Sequence, residues 1–299
     1  MKYRFIDEQR GTHRVERMAE VLGVSRAGYY AWLGRSESER DQANTDLAER
    51  IRQIQDRMKY RYGAPRITAQ LSRDGRRVGH NRVARLRREN KLQARPQRRY
   101  RSTTKASESA PAAENVLARG FGVSTTNTVW VSDITYVATA EGWLYLATVL
   151  DLCSRRVVGW AMSSRLSTEL ALRAFWMAVL LRRPPKGVLF HSDRGSQYSS
   201  RAFRNALHRR QAVASMSRKG NCWDNAPSDA FFSTLKTELM DGKAFASRQA
   251  ARAAIFEYME VFYNRQRLHS SLGNVTPVEY EEAIPGGVSK VDLPLENAL

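Results

Sequence analysis

A chain of 299 residues with 42% hydrophobic side chains and a net charge of +19 has room for two or three domains and is too apolar to be disordered. It holds no apolar run of the roughly 18 residues that a membrane helix needs, and MKYRFIDEQR lacks a signal-peptide core. Two cysteines, Cys153 and Cys222, exclude a disulfide framework and a Cys/His zinc module, so a reducing cytoplasm is the expected setting, with no membrane partner.

The charge is uneven. Residues 1–105 carry 27 Lys and Arg against 12 Asp and Glu, and the remaining 194 carry 22 against 18. Basic charge at that density neutralises phosphates and releases counterions, which marks the N-terminal third as a nucleic-acid-binding region; a ribosomal or membrane-surface protein is the alternative.

In chain order, HRVERMAEVLGVSRAGYYAWLG (13–34) predicts a helix-turn-helix. Val15, Met18, Ala19 and Leu22 form one apolar face, Gly23 makes the turn and Ser25 caps the second helix. That helix offers Arg26, Tyr29, Tyr30 and Trp32 for phosphate and base contacts. A long amphipathic helix follows from Gln42 to Lys59 and closes a first region, 1–60. Residues 61–95 predict a second helical pair broken at Asp74-Gly75. Its latter half presents Arg82, Arg85, Arg87 and Arg88, either for DNA or as a solvated basic face. Residues 96–127, rich in Arg, Ser, Thr, Ala and Pro, predict a basic linker whose start could track a DNA backbone.

The pattern then changes class. VWVSDITYVAT (129–139), WLYLATVLDL (143–152) and RRVVGWAMS (155–163) are aromatic and β-branched runs with short turns, an antiparallel meander. A helix (167–181), a strand (187–193), a helix, a strand, a helix over PSDAFFSTLKTELM and a long helix over 248–267 follow. That order predicts an α/β sheet of mixed strand directions over 128–270, with 271–299 as a C-terminal tail.

Three acids occupy unusual places. Asp133 lies mid-strand among apolar residues, Asp193 ends the fourth strand, and Asp229 opens the helix after the fifth. Such positions can converge on one sheet edge, where carboxylates repel unless a divalent cation compensates. Each has a plainer reading as well: a buried ion pair for Asp133, a turn for Asp193, a first-turn acid for Asp229. Roughly 100° per residue places Glu238 about 180° around the helix from Asp229, while Asp229, Ser233 and Lys236 share a polar face. The two acids thus face opposite sides of the helix, and Glu238 reads as a surface or structural acid. His191 and Gln197 flank Asp193 and either orient substrate or pack. Lys219, Asn221 and Asn225 lie on a loop expected to face DNA, and Arg265, Arg267 and His269 either contact phosphate or cap the last helix.

VSDITY, FHSDRGSQYSS, SRKGNCWDNAPSDAFFSTLKTEL and YNRQRLHSSLGNVTP closely resemble bacterial transposases of the insertion-sequence-three family, the second-reading-frame products with a retroviral-integrase-like core. The resemblance covers nearly the whole chain. It implies an RNase H-like catalytic core with a mixed five-stranded sheet, preceded by an all-α helix-turn-helix DNA-binding region. It also implies an Asp-Asp-Glu triad binding two Mg²⁺ or Mn²⁺ ions, at Asp133, Asp193 and position 229, which lies 36 residues after Asp193. Lys236 matches the family's basic residue seven positions beyond the third acid. This chain departs in carrying Asp where the family has Glu. The implied partners are double-stranded DNA (terminal repeats and target), further copies of the chain, and an upstream reading-frame product, in a bacterial, nucleoid-associated setting. The implied activity is strand cleavage followed by 3′-OH strand transfer by way of a circularised element; the alternative is a catalytically inactive DNA-binding relative or repressor.

Overall fold

The structure, a computed structural model, describes residues 1–36, 38–94, 113–219, 221–240, 242 and 244–284. The basic start of the expected linker (95–112) and residues 285–299 of the expected tail lie outside those residues. The chain divides into two compact units: 1–60 with 70–93, and 61–69 with 94–299.

In the first unit, α1 (Lys2–Gln9), α2 (Val15–Val21) and α3 (Arg26–Leu33) enclose Ile6, Met18, Ala19 and Tyr29. Gly23 takes φ +64° in the turn, and Ser25 Oγ accepts the Gly28 N–H at 2.9 Å, the N-cap expected from the sequence. Helix α4 (Glu39–Arg57) buries Leu47, Ile51 and Ile54 and packs on α6 (His80–Glu89), which buries Val83 and Leu86. Helix α5 (Ala64–Arg73), of which only residues 70–73 count with this unit, ends before Gly75, whose φ is +83°.

The second unit is built on a sheet of order β3-β2-β1-β4-β5, with β1 (Val129–Thr139), β2 (Gly142–Asp151), β3 (Val157–Ser163), β4 (Leu189–Ser192) and β5 (Val213–Met216). The first three strands form the antiparallel meander, and β4 and β5 join parallel to β1. Helices α7 (Thr168–Arg182), α8 (Ser196–Ser199) and α9 (Arg201–Arg209) cover one face, where Trp130, Phe175, Phe190, Tyr198 and Phe203 make the core. Gly159 of β3 lets α7 approach closely: an added Cβ would lie 2.3 Å from the Ala174 carbonyl oxygen. Side chains alternate along a strand, so Asp133 faces away from Trp130, toward α10 (Ala226–Leu235) and α11 (Arg248–Phe256), which pack over β1. Both helices run on as π-helical segments, Lys236–Met240 and Glu257–Tyr263.

Two expected boundaries are corrected. Residues 61–69 belong to the second unit because their side chains are held there. Arg61 Nε donates to the Glu238 carbonyl at 3.1 Å, Tyr62 Oη donates to the Gln266 carbonyl and accepts the Leu268 N–H, both at 2.9 Å, and Arg66 Nε donates to the Leu268 carbonyl at 3.0 Å. Nor is the segment after 270 only a tail. Helix α12 (Pro277–Ala283) opens with a capping box of Thr276 and Glu279, and its buried Glu281 meets Arg182 of α7 at 2.7 and 2.9 Å and Arg156 at 2.6 Å. No helix among the described residues is long and apolar enough to cross a membrane.

Candidate active site

Strand register sets the first two acids. The β1–β4 ladder pairs Val131 with His191 and Ser132 with Ser192, and Asp133 and Asp193 each come one residue later. Neighbouring parallel strands run about 4.8 Å apart, so the two carboxylates emerge side by side where β4 stops. Asp133 Oδ1 accepts its neighbour's N–H, from Ile134, at 2.7 Å, and Asp193 Oδ1 accepts the Gly195 N–H at 3.0 Å. Desolvation raises the Asp133 carboxyl well above the ordinary range, Asp193 and Asp229 push it further, and Lys236 and the Ile134 N–H oppose them. Desolvation likewise raises Asp193.

Asp229 sits in the first turn of α10, which Pro227 helps to start, and is exposed on its outer side. Its pKa is raised first by desolvation and then by Asp193, against the pull of Lys236 one helical segment later. Phe231, Phe232 and Leu235 bury the opposite face. Three acids and one lysine therefore share one electrostatic neighbourhood. Among the described residues, however, no group of three or more His, Cys, Asp or Glu side chains is gathered closely enough to hold a metal ion. Glu238 is buried, a structural acid and not a surface one: Arg267, Tyr258 and Arg66 all donate to its carboxylate.

The loop before α10 is anchored by Asp224, an acid that sequence reasoning missed. Its fully buried carboxylate accepts from the Arg218 N–H and guanidinium at 2.8–2.9 Å, from Arg119 Nε at 2.9 Å and from Asn115 Nδ2 at 2.9 Å. Those bonds, Arg218 foremost, hold its pKa far below the carboxylate range. Nothing local in SRKGNCWDN distinguishes it, since two of its partners lie more than a hundred residues upstream.

The other expected site residues fall in different places. His191 is buried, with Nδ1 2.8 Å from Ser215 Oγ and Nε2 3.2 Å from Ser217 Oγ, so both ring nitrogens are taken up by side chains of β5 and the residue after it. Gln197 stays beside Asp193, where its Oε1 and the Asp193 Oδ1 would both crowd a Cβ at Gly195. Lys219 is exposed, Asn221 caps the turn at Trp223 and accepts from Arg119, and Asn225 is buried. Arg265 is exposed. Arg267 is corrected from a DNA contact to an interior residue: it is buried on Glu238 and donates to His269, whose pKa is pushed down to about 2 by burial and then by Arg267. Tyr29 is corrected likewise, since it lies in the α1–α3 core with its hydroxyl donating to Asp7 at 3.0 Å. Tyr30 and Arg88 are exposed, Arg26 and Arg85 pair at the surface with Glu16 and Glu89, Arg82 donates to Asn44, and Arg87 is half-buried.

Residues 124–222 match the integrase core domain, residues 229–283 match a second integrase core domain family, and residues 41–100 match an HTH-like domain. The chain is 40% identical over 283 residues to the transposase InsF for insertion sequence IS3A of Escherichia coli K12, spanning 94% of this chain and 98% of that protein. The chain belongs to the IS3 family of transposases. It is also 44% identical over 265 residues (89% of this chain, 97% of that one) to the uncharacterized 31 kDa protein of insertion element IS600 from Shigella sonnei. A distant likeness is to the magnesium complex of the HTLV-2 integrase catalytic core, at 16% identity and a TM-score of 0.39 over 53% of this chain and 97% of that one. As in its family, this IS3 chain has an RNase H-like integrase core with a mixed five-stranded sheet, preceded by a helix-turn-helix region.

Proposed function

We propose that this IS3-family chain is a DNA transposase whose second unit cleaves and joins strands at Asp133, Asp193 and Asp229, and whose basic first unit holds the element's terminal repeats. The observation that carries the reading is the electrostatic union of the three acids: all are desolvated and two raise the third, opposed by Lys236 and by the N–H groups of Ile134 and Gly195. An all-oxygen donor set with unrelieved like charge suits hard divalent cations, so Asp133 and Asp193, with Asp229 as third donor, would hold Mg²⁺ or Mn²⁺, two ions per site. Such ions, when bound, supply Lewis acidity toward phosphate oxygens and activation of the attacking hydroxyl. Lys236 and Lys219, on either side of Asp229 in the chain, would hold the phosphates beside the scissile one, and the attack would run in line with the departing oxygen. Water attacks first and leaves a 3′-OH, and that hydroxyl then attacks a second phosphodiester. Joining two ends calls for at least two copies of the chain on DNA, and the upstream reading-frame product is a further proposed partner.

Asp229 makes the site short. Asp lacks one methylene of Glu, about 1.5 Å, and a misplacement near 1 Å costs on the order of a hundredfold in rate. The shorter side chain also favours a second reading, a relative that grips ends without cutting them. Labelled duplexes carrying the element's ends, incubated with Mg²⁺ or Mn²⁺, test both. Cleavage that Asp133→Ala and Asp193→Ala abolish supports the transposase. Specific binding with no product under either ion establishes the second reading. Asp229→Glu should raise the rate by about tenfold to a hundredfold if the short side chain attenuates the enzyme, and should lower it if the site is adapted to Asp.

A further inference from the structure

Trp223 is 69% exposed, among the largest exposures of any big apolar side chain in the second unit. Single exposed apolar residues are ordinary on protein surfaces, but this one is held out by construction. It sits on the 3₁₀ turn Cys222–Asn225, capped by Asn221 Oδ1, which accepts the Trp223 N–H at 3.1 Å. The next residue, Asp224, is fully buried and fixed by Arg218, Arg119 and Asn115. The residue after that, Asn225, is buried too. An indole on a turn pinned from both sides loses little freedom on binding a flat partner.

Its surroundings select that partner. Arg119 and Arg218 bond the buried Asp224 beside the turn, both with side chains about half exposed, and the exposed Lys219 precedes Trp223 by four residues. A cationic rim around an outward aromatic face suits a nucleic-acid base with its phosphates better than an apolar protein surface. Position agrees. Asp229 lies six positions after Trp223, and at 1.5–2 Å per residue that is about 9–12 Å along the helical stretch, roughly three nucleotide steps of a DNA strand.

We propose that Trp223 is a stacking platform for an unpaired DNA base close to the scissile phosphate. The proposal rests on the transposase reading and specifies it: the site engages a frayed or single-stranded end, not a closed duplex alone.

The probes are a blunt duplex and the same duplex with a three-nucleotide single-stranded tail carrying 2-aminopurine. The full chain should quench the 2-aminopurine and bind the tailed duplex more tightly than the blunt one. Trp223→Ala should weaken tailed binding about ten- to a hundredfold and abolish the quench. Trp223→Phe should keep most of both, and blunt-duplex binding should be the same for all three. The proposal is overturned if Trp223→Ala binds and quenches like the parent chain, if it weakens blunt and tailed duplexes equally, or if it changes only the mass of the protein in solution, which would mark a protein contact. Failure of the underlying reading is distinct: a parent chain that quenches and discriminates as expected yet never cleaves loses the enzyme and keeps the platform.

Discussion

Arg267 grips Glu238 through Nε, 3.1 Å from Oε1 and 2.9 Å from Oε2, and through Nη2, 2.9 Å from Oε1, nine residues beyond Asp229 on the chain. The two acids of one helical stretch thus have opposite occupations, one inward and paired, one outward and crowded by other acids. Glu238→Ala leaves a buried guanidinium without its carboxylate and should cost about 3–5 kcal/mol of stability. Asp229→Ala should leave the unfolding midpoint near that of the parent chain while removing strand transfer. Denaturant titrations of both variants check this, and equal losses would contradict the assignment.

Asp133 should show the reverse trade. Its charge is opposed by desolvation and by Asp193 and Asp229. Asp133→Asn keeps the acceptor for the Ile134 N–H and removes the charge, so its melting temperature in metal-free buffer should rise while cleavage disappears. A lower melting temperature would mean that the carboxylate has a stabilising partner.

Acid should loosen the loop before α10. Asp224 has a folded pKa depressed below its unfolded value near 3.9. Its contribution to stability is therefore fully present above about pH 4 to 5 and is lost as pH falls through the depressed value. Asp224→Asn should be less stable than the parent chain at neutral pH, and the gap should narrow only below about pH 4. Thermal melts across pH 2–7 show it, and a gap that stays constant into acid would remove Asp224 from the account.

Gly159 tests the helix-covered face. A Cβ there would meet the Ala174 carbonyl oxygen at 2.3 Å and Ala178 Cβ at 2.7 Å, so Gly159→Ala should cost about 1–3 kcal/mol or more through overpacking, read from the denaturant midpoint.

The strands were legible because β1 to β3 are written in aromatic and β-branched residues with clear turns, and all five fall where the pattern put them. Asp133 drew notice because an acid in an apolar strand has few reasons to be there, and the structure desolvates it beside Asp193. Helix α1 was passed over: eight residues carry too weak a periodicity to register. Helix α12 reads as acidic and polar, and Glu281 gains its meaning only from Arg182 and Arg156, 99 and 125 residues earlier in the chain. A signal did exist for it, since Thr276 and Glu279 stand at capping-box spacing. The inward turn of Tyr29 and Arg267 had no such signal. Both look like DNA-contacting types, and only Asp7 and Glu238, supplied by other elements, draw them in.

Residues 61–69 bear on how this molecule can be cut. A fragment beginning after residue 95, where the sequence invites a scissor, would lack Arg61, Tyr62 and Arg66. It would leave the carbonyls of Glu238, Gln266 and Leu268 facing outward with nothing to receive. An expression fragment of the catalytic half made that way should aggregate or melt early, whereas one starting before Arg61 should hold. Recombination between relatives would meet the same seam: a crossover near residue 95 joins a catalytic half to another protein's Arg61, Tyr62 and Arg66, and survives only where those side chains agree.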